Sequence, residues 1–292
     1  MVDFVRPSGF RVVAVDLDGT LAGADGRVTN RTMAALRKTE ASGLTIVVAT
    51  GRAYPAALEV WCTAGLSAPL ITCGGAFIVQ PPVPEVIEAH FLASAVVATS
   101  LRLGQELDLA VSLWTEDAIW MSRQGLLADQ LKALNRVDVL PISAGPRAPI
   151  PSGPMPVLKV MLGGEPSQLD RVQSVVLSEL GEAEVARAMP QYMDVTPPGV
   201  SKRRALETVL ARLGVNAAEA IAIGDGDNDV GMLDLAGLAV VPANAMAAAR
   251  AVADLVIGRH DRDGVAQFLE AIVEGDSLAQ VRRLSSFGRP DA

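Results

Sequence analysis

The chain has 292 residues, of which 50% are hydrophobic and 20% are charged, and its formal net charge is −8. This length is enough for one large hydrophobic core or for two domains of ordinary size. Because the chain is acidic and its arginines are scattered, the composition argues against nucleic acids and anionic membranes as partners.

The first eighty residues alternate between strand and helix patterns. Short apolar runs such as 12–15 are typical of buried parallel strands. This alternation indicates a parallel sheet with right-handed crossover helices. The predicted strands are 11–15, 44–49, 69–72 and 76–79, and the predicted helices are 30–42 and 55–64.

A proline-rich stretch at 81–84 interrupts this alternation, which is typical of a loop or a domain edge. From about residue 91 to residue 190 the order of helices and strands changes and indicates a separate α+β unit. Its predicted helices are 92–107, 126–134 and 166–180, its predicted strands are 110–114, 118–121, 157–162, 185–189 and 192–195, and 141–156 is predicted to be a loop.

The α/β alternation resumes after residue 195. The predicted helices are 202–213, 230–236, 246–251 and 264–274, the predicted strands are 220–223, 238–241 and 255–257, and a weakly ordered tail begins at 277. The simplest architecture is one α/β domain interrupted by an inserted second domain.

Two further features concern the location of the protein. Cys62 and Cys73 lie in apolar stretches, and two cysteines in a chain of this size are expected to be buried free thiols rather than a disulfide scaffold. The first residues lack the pattern of a signal peptide, and no uncharged apolar run reaches the ~18 residues of a membrane span. We therefore expect a cytoplasmic protein without membrane or nucleic-acid partners, either a monomer or a homodimer.

Polar residues follow three of the predicted strands and begin one helix. The carboxyl ends of parallel strands meet at one edge of a sheet, where ligands bind. Carboxylates suit Mg²⁺, whereas lysine, threonine and backbone N–H groups suit phosphate oxygens. The set therefore indicates a phosphoryl group bound beside Mg²⁺. Its members are Asp16 and Asp18, Thr50 and Gly51, residues 225–229, and Lys202.

Each of these clusters also has a plainer interpretation when taken alone. An Asp-Xaa-Asp-Gly stretch is common in turns, and Lys202 alone is typical of a solvated helix start. Residues 225–229 suggest a calcium loop, but no acidic residue closes that loop at the twelfth position of the EF-hand pattern. Four clusters in one order favour the phosphoryl site.

Four short motifs carry a resemblance to a known family. They are Asp16-Leu17-Asp18-Gly19-Thr20-Leu21, Thr50-Gly51-Arg52, Gly199-Val200-Ser201-Lys202 and Gly224-Asp225-Gly226-Asp227-Asn228-Asp229. With them the chain resembles the haloacid dehalogenase superfamily of phosphohydrolases, and within it the Cof-type branch with a large C2-type cap. The resemblance implies a Rossmann-like, doubly wound parallel-sheet core at 1–88 and 191–292 and an inserted α+β cap at 89–190.

The resemblance also implies roles for the carboxylates. Asp16 would be the nucleophile that attacks phosphorus and forms an aspartyl-phosphate. Asp18 would protonate the leaving oxygen and then act as base on water. The carboxylates of Asp16 and Asp225 and the backbone carbonyl of Asp18 would hold Mg²⁺.

The remaining motif residues are implied to bind the phosphoryl group. Thr50 and the N–H of Gly51 would hold phosphoryl oxygens, and Lys202 would offset the charge of nucleophile and phosphate. Asn228 would contact the phosphoryl region, and Asp229 would support Lys202 or the water shell of the metal.

We therefore expect a Mg²⁺-dependent phosphatase that hydrolyses a small phosphorylated metabolite, with a sugar phosphate as the expected substrate. A phosphomutase or phosphotransferase on the same scaffold remains open, because it would use the same aspartyl-phosphate. A non-catalytic phosphate-binding protein is a third alternative, although it usually requires a lost catalytic group.

The sequence indicates less about the residues that select the substrate than about the phosphoryl site. Gly74 stands where many relatives have asparagine, which removes a polar contact near the cap entrance. Selectivity is expected to reside in 110–121 and 141–156. Asp227 occupies a variable position of the family and is expected to be solvated.

Overall fold

The computed structural model describes residues 9–23, 25–142 and 155–275. Its first part contains β1 (Val12–Val15), α1 (Asn30–Ala41), β2 (Thr45–Val48), α2 (Tyr54–Ala64), β3 (Leu70–Thr72), β4 (Phe77–Gln80) and β5 (Glu85–Ala89). Its middle part contains α3 (Ser94–Glu106), β6 (Ala110–Trp114), β7 (Ala118–Met121), α4 (Leu126–Asn135), β8 (Asp138–Pro141), β9 (Lys159–Gly163), α5 (Pro166–Leu180), β10 (Glu184–Met189) and β11 (Tyr192–Thr196). Its last part contains α6 (Lys202–Leu213), β12 (Ala220–Ile223), α7 (Val230–Leu235), β13 (Leu238–Pro242), α8 (Ala247–Ala251), β14 (Leu255–Ile257) and α9 (Gly264–Val273).

Five parallel strands form the central sheet in the order β14–β13–β12–β1–β2. Every residue of β1 and β12 is buried, because helices cover both faces of the sheet. Leu36 of α1 and Phe268 of α9 pack on one face, whereas Leu206 of α6 and Met232 of α7 pack on the other. The sheet is therefore doubly wound, and the predicted α/β fold class is confirmed.

A small antiparallel sheet, β3–β4–β5, extends the central sheet through a parallel bridge between Ala49 and Ile71. Strand β5 is not predicted from its sequence. It lies at the sheet edge and is partly exposed, so it lacks a continuous apolar run, and it follows directly after the prolines at 81–84.

The middle part forms a six-stranded sheet in the order β10–β11–β9–β6–β7–β8. Its pairs are antiparallel except for β7 and β8. Helices α3 and α5 pack on one face around Leu103, Leu162 and Val176. Strand β8 is not predicted, because its apolar stretch is only two residues long. The predicted loop at 141–156 lies mostly outside the described residues, as does the predicted tail from 277.

The second boundary of the inserted segment follows from this sheet. Strand β11 pairs with β9 and β10, so it belongs to the six-stranded sheet. A boundary at residue 190 would separate β11 from both partners. We therefore propose that the inserted segment, called the cap below, extends to Thr196.

Two smaller features complete the fold. Within the described ranges, no helix has both the length and the apolar character needed to cross a bilayer. Both cysteines are free; Cys73 is buried, as expected, but Cys62 is exposed. The prediction of burial is wrong for Cys62 because α2 buries a different face, which includes Ala57, Val60 and Ala64.

Candidate active site

Lys202 lies between two carboxylates at the carboxyl edge of the central sheet. It is the first residue of α6, whose N-cap Ser201 accepts a hydrogen bond from the backbone N–H of Arg204. Its Nζ lies 2.6 Å from Asp16 Oδ1 and 2.6 Å from Asp229 Oδ1, and its side chain is 1% exposed. Burial alone would lower the pKa of Lys202, but the two carboxylates raise it above its ordinary value. Lys202 is therefore a permanent positive charge.

Asp229 orders the loop that follows β12. Its Oδ2 accepts hydrogen bonds from the backbone N–H groups of Asp225 and Gly226, each at 3.0 Å, while its Oδ1 pairs with Lys202. A Cβ on Gly224 would lie 2.6 Å from the Cβ of Asp229, so this close approach requires glycine. Because both oxygens of Asp229 are engaged, its geometry suits support of the lysine and the loop.

Asp225 joins the same loop to the turn after β1. Its Oδ1 accepts a hydrogen bond of 2.9 Å from Thr20 Oγ1. Gly19 has a φ of 78°, and a Cβ there would lie 2.2 Å from Asp225 Oδ2, so glycine lets the two loops meet. Burial, and then the charge of Asp229, raise the pKa of Asp225 to about 6.

The site holds more negative than positive charge. Among the described residues on the core side of the site, the carboxylates are Asp16, Asp18, Asp225 and Asp229, and the permanent cations are Lys202 and Arg52. Burial raises the pKa of Asp16 well above its ordinary value, although Lys202 opposes this. Oxygens of Asp16, Asp225 and Asp229 lie within 4.8 Å of one another. A divalent cation prefers such oxygens and would balance the two excess negative charges, so the residues present fit it.

Asp18 pairs with Arg52, to which the sequence motif assigned no role. Nε and Nη2 of Arg52 donate to the two carboxylate oxygens of Asp18 at 2.9 and 2.6 Å. Nη2 also donates to the carbonyl of Gly26 at 2.9 Å, and Nη1 donates to the carbonyl of Leu134 in the cap at 3.4 Å. This fork fixes the plane of the Asp18 carboxylate.

Thr50 and Gly51 begin the turn after β2. Thr50 is buried; its Oγ1 accepts a hydrogen bond of 3.0 Å from the backbone N–H of Arg52, and its carbonyl accepts one of 3.0 Å from Gly74. Gly51 and Asp16 line the cavity, whereas Thr50 is fully buried and is not among the lining residues. The turn 50–52 is therefore held from within by Thr50 and presents Gly51 to the cavity.

A cavity of about 90 Å³ lies between the core and the cap. The core contributes Asp16, Asp18, Gly51, Arg52, Asp225, Gly226 and Asn228. The cap contributes Trp114, Leu131, Leu134, Asn135, Lys159, Met161, Met189, Tyr192 and Asp194. Trp114 belongs to the segment 110–121, which was predicted to influence selectivity. Asn228 is half-buried, and Asp227 is exposed as predicted.

Direct contacts hold the cap over the core. Asn135, at the end of α4, accepts a hydrogen bond of 2.9 Å from the backbone N–H of Ala53. Arg136 Nε donates to Glu59 Oε2 at 2.9 Å. These contacts place the apolar end of α4 beside the turn 50–52 and help to close the cavity.

Lys159 and Asp194 are cap residues of the site that sequence reasoning missed. Lys159 Nζ lies 3.0 Å from Asp194 Oδ2, 2.8 Å from the carbonyl oxygen of Gly51 and 3.9 Å from the ring centroid of Trp114. The available signal was a charged residue within the apolar run 157–162. Such a residue in a buried strand indicates a specific partner.

Comparisons with known proteins identify the family of the chain. The sequence model of the haloacid dehalogenase-like hydrolase family matches residues 13–269. The chloroplastic endoribonuclease YBEY of Arabidopsis thaliana is 27% identical over 271 residues, which are 88% of this chain but only 45% of that protein. Pyridoxal phosphate phosphatase YbhA of Escherichia coli K12 is 26% identical, with 89% of this chain and 97% of that protein covered.

A solved structure from Bacteroides thetaiotaomicron, described among phosphatases of the same superfamily, is 26% identical to this chain. It has a TM-score of 0.72 and covers 90% of this chain and 95% of its own. These similarities confirm the predicted resemblance and the enzyme class, a phosphoric monoester hydrolase. Because the family model spans most of the sequence, the chain belongs to the haloacid dehalogenase-like hydrolases.

Proposed function

We propose that the chain is a Mg²⁺-dependent phosphatase that hydrolyses a small phosphorylated metabolite, with a sugar phosphate as the expected substrate, through an aspartyl-phosphate. The observation that carries the proposal is the buried Lys202, which pairs with Asp16 and Asp229; Asp16 in turn lines the cavity. The related pyridoxal phosphate phosphatase supports a small phosphorylated metabolite as substrate.

The reaction needs one nucleophilic oxygen and one group that carries a proton. Lys202 engages Oδ1 of Asp16, and Oδ2 would attack phosphorus as the ester P–O bond breaks. Protonated Asp18 would give its proton to the departing oxygen. Asp18 would then take a proton from a water that attacks the aspartyl-phosphate, which releases phosphate and regenerates Asp16.

The phosphoryl group would be bound by groups that surround Asp16. The ammonium of Lys202, the N–H of Gly51, the hydroxyl of Thr50 and the amide of Asn228 are the proposed donors. The Thr50 hydroxyl accepts a hydrogen bond from the backbone N–H of Arg52. It can still donate its own hydrogen to a phosphoryl oxygen, because a hydroxyl donates and accepts at the same time.

Asp16 and Asp225 through their carboxylates, and Asp18 through its backbone carbonyl, would hold Mg²⁺. When bound, Mg²⁺ neutralises charge on phosphoryl oxygens and orients the group for displacement. Asp229 would act indirectly, because it holds Lys202 and the backbone of Asp225 in place.

Hydrolysis of p-nitrophenyl phosphate, with and without Mg²⁺, tests the proposal. The wild type should turn over only with Mg²⁺, and Asp16→Asn should lose at least about 10³-fold in kcat because the amide is a poor nucleophile. Asp227→Asn is the matched control, since this carboxylate is exposed on the same loop. No Mg²⁺-dependent turnover in the wild type, or full activity of Asp16→Asn, would contradict the proposal.

A further inference from the structure

One face of the six-stranded cap sheet looks into the cavity and carries a buried charge pair. Trp114 and Lys159 lie opposite each other on β6 and β9, and Met161 and Asp194 lie opposite each other on β9 and β11. Because side chains alternate along a strand, these four residues share one face. The cap therefore presents a lysine and an aspartate, surrounded by apolar side chains, toward the phosphoryl site.

This pair lies close to the turn that the proposed function assigns to phosphoryl binding. Lys159 Nζ donates to the carbonyl of Gly51 at 2.8 Å. A Cβ built on Gly51 would lie 3.7 Å from Asp194 Oδ2 and 3.8 Å from Lys159 Nζ. A leaving group attached to a phosphoryl group at Gly51 would therefore start within reach of the pair.

Stability does not explain the pair. The side chains of Lys159 and Asp194 are 3% and 9% exposed, so both charges are desolvated. Replacement of buried ion pairs by apolar residues is often neutral or stabilising, because desolvation offsets the attraction. The neighbours Trp114 and Met161 show that apolar side chains fit this face.

The hydrogen bonds of Asp194 are incomplete. Its Oδ2 accepts from Lys159, whereas its buried Oδ1 has no hydrogen-bond partner among the described residues. Buried carboxylate oxygens in proteins nearly always accept a hydrogen bond, and an unpaired one is costly. Lys159 neutralises the charge of Asp194, but Oδ1 of Asp194 remains able to accept a hydrogen bond from another donor.

We propose that Asp194 is a specificity-determining residue that accepts a hydrogen bond from a donor on the leaving group of the substrate, with Lys159 holding its carboxylate in place. The inference rests on the proposed function, and it narrows the substrate class to phosphomonoesters with a hydroxyl or amine hydrogen a few bonds from the ester oxygen. Trp114 and Met161 would contact the less polar part of the same leaving group.

Three small esters of similar length test this inference. Glycerol 1-phosphate carries hydroxyl donors, 2-aminoethyl phosphate carries an ammonium donor, and n-propyl phosphate carries neither. The readout is the ratio of kcat/KM for each donor ester to that for n-propyl phosphate, measured with Mg²⁺. In the wild type, at least one of the two ratios should be about 10 to 100, which is the effect expected of a hydrogen bond to a charged group. The donor ester with the higher ratio shows whether Asp194 prefers a hydroxyl donor or an ammonium donor.

The ratio should collapse toward 1 in Asp194→Ala and in the double variant Lys159→Met, Asp194→Leu, which removes the pair without leaving an unpaired charge. Asp170→Asn, an exposed carboxylate on α5 of the cap, is the matched control and should keep the wild-type ratio. Because each ratio is taken on one preparation, a loss of folded protein affects both rates equally. An unaltered ratio in the folded variants, or no preference in the wild type, would overturn the inference. If the wild type hydrolyses no ester, including p-nitrophenyl phosphate, the proposed function fails and the inference fails with it.

Discussion

Arg52 donates hydrogen bonds to both carboxylate oxygens of Asp18, with Nε 2.9 Å from Oδ2 and Nη2 2.6 Å from Oδ1. The two residues are 34 positions apart and follow neighbouring strands of the central sheet. The proposed acid and base of the reaction is thereby oriented by a planar group that contacts it at two points. Arg52 is a positioning residue in this arrangement, because its proposed effect passes through Asp18.

Replacement of Arg52 by lysine should therefore impair the reaction while keeping the charge. Lysine lacks the planar fork, so we expect kcat for p-nitrophenyl phosphate to fall by about 10- to 100-fold. The loss should appear in kcat rather than in KM, because Arg52 is proposed to act through Asp18. Arg37→Lys is the control, because Arg37 is exposed and donates to the carbonyl of Thr63. A wild-type kcat in Arg52→Lys would refute this role.

Replacement of Lys202 by methionine should destabilise the metal-free protein. The change leaves Asp16 and Asp229 buried without their shared counter-charge, which typically costs about 3–5 kcal/mol of the free energy of unfolding. Urea unfolding in the presence of a chelator measures this loss. Lys132→Met removes an exposed pair with Asp138 and should cost less than about 1 kcal/mol. Similar losses in the two variants would show that Lys202 is not a buried counter-charge.

Binding of a divalent cation should depend on pH through Asp225. The pKa of Asp225 is raised from 3.8 to about 6, so between these values the folded protein binds more protons than the unfolded chain. The contribution of this group to the free energy of unfolding therefore falls as pH rises through about 6 in the absence of metal. A cation competes with the proton, so its affinity should rise over the same interval.

The measurement is the increase in Tm caused by Mg²⁺ at about pH 5 and about pH 7.5, which should be larger at the higher pH. Asp225→Asn cannot ionise and should show a small increase at both pH values. An equal increase for the wild type at both pH values would contradict the expectation.

The two cysteines should differ strongly in reactivity. Cys62 is exposed, whereas burial raises the pKa of Cys73 to about 11 and keeps it as a thiol. Because the thiolate is the reactive form, Ellman's reagent should modify one thiol rapidly in the native protein and the second only after unfolding. Cys62→Ser should abolish the rapid phase. Two rapid thiols in the native wild type would contradict the burial of Cys73.

The strand ends of the core were predictable because parallel strands with apolar runs bring their carboxyl ends to one edge. Asp16 and Asp225 follow this rule, and Lys202, the first residue of α6, lies with them as the motifs predicted. The pair formed by Arg52 and Asp18 was not predictable in this way. Both residues were visible in their motifs, but no local spacing encodes a contact between side chains on different loops.

The cap was less predictable for a similar reason. Its helices and most of its strands have ordinary periodic patterns, so their positions follow from the sequence. The role of Lys159 and Asp194 depends on the register of β9 and β11 and on how the cap sheet faces the core. Neither relationship has a signature within a short window, and a lone charge in a strand does not identify its partner.

The strand order of the central sheet also has a consequence for biosynthesis. Strand β1 has β2 as one neighbour, which follows within about 30 residues, but its other neighbour is β12, which comes after the entire cap. Asp16 and Lys202 are accordingly separated by 186 positions. During translation, a nascent chain that ends before residue 202 contains the proposed nucleophile Asp16 without Lys202 and with one edge of β1 unpaired. The candidate active site therefore cannot be complete until the chain has been synthesised through Asp229.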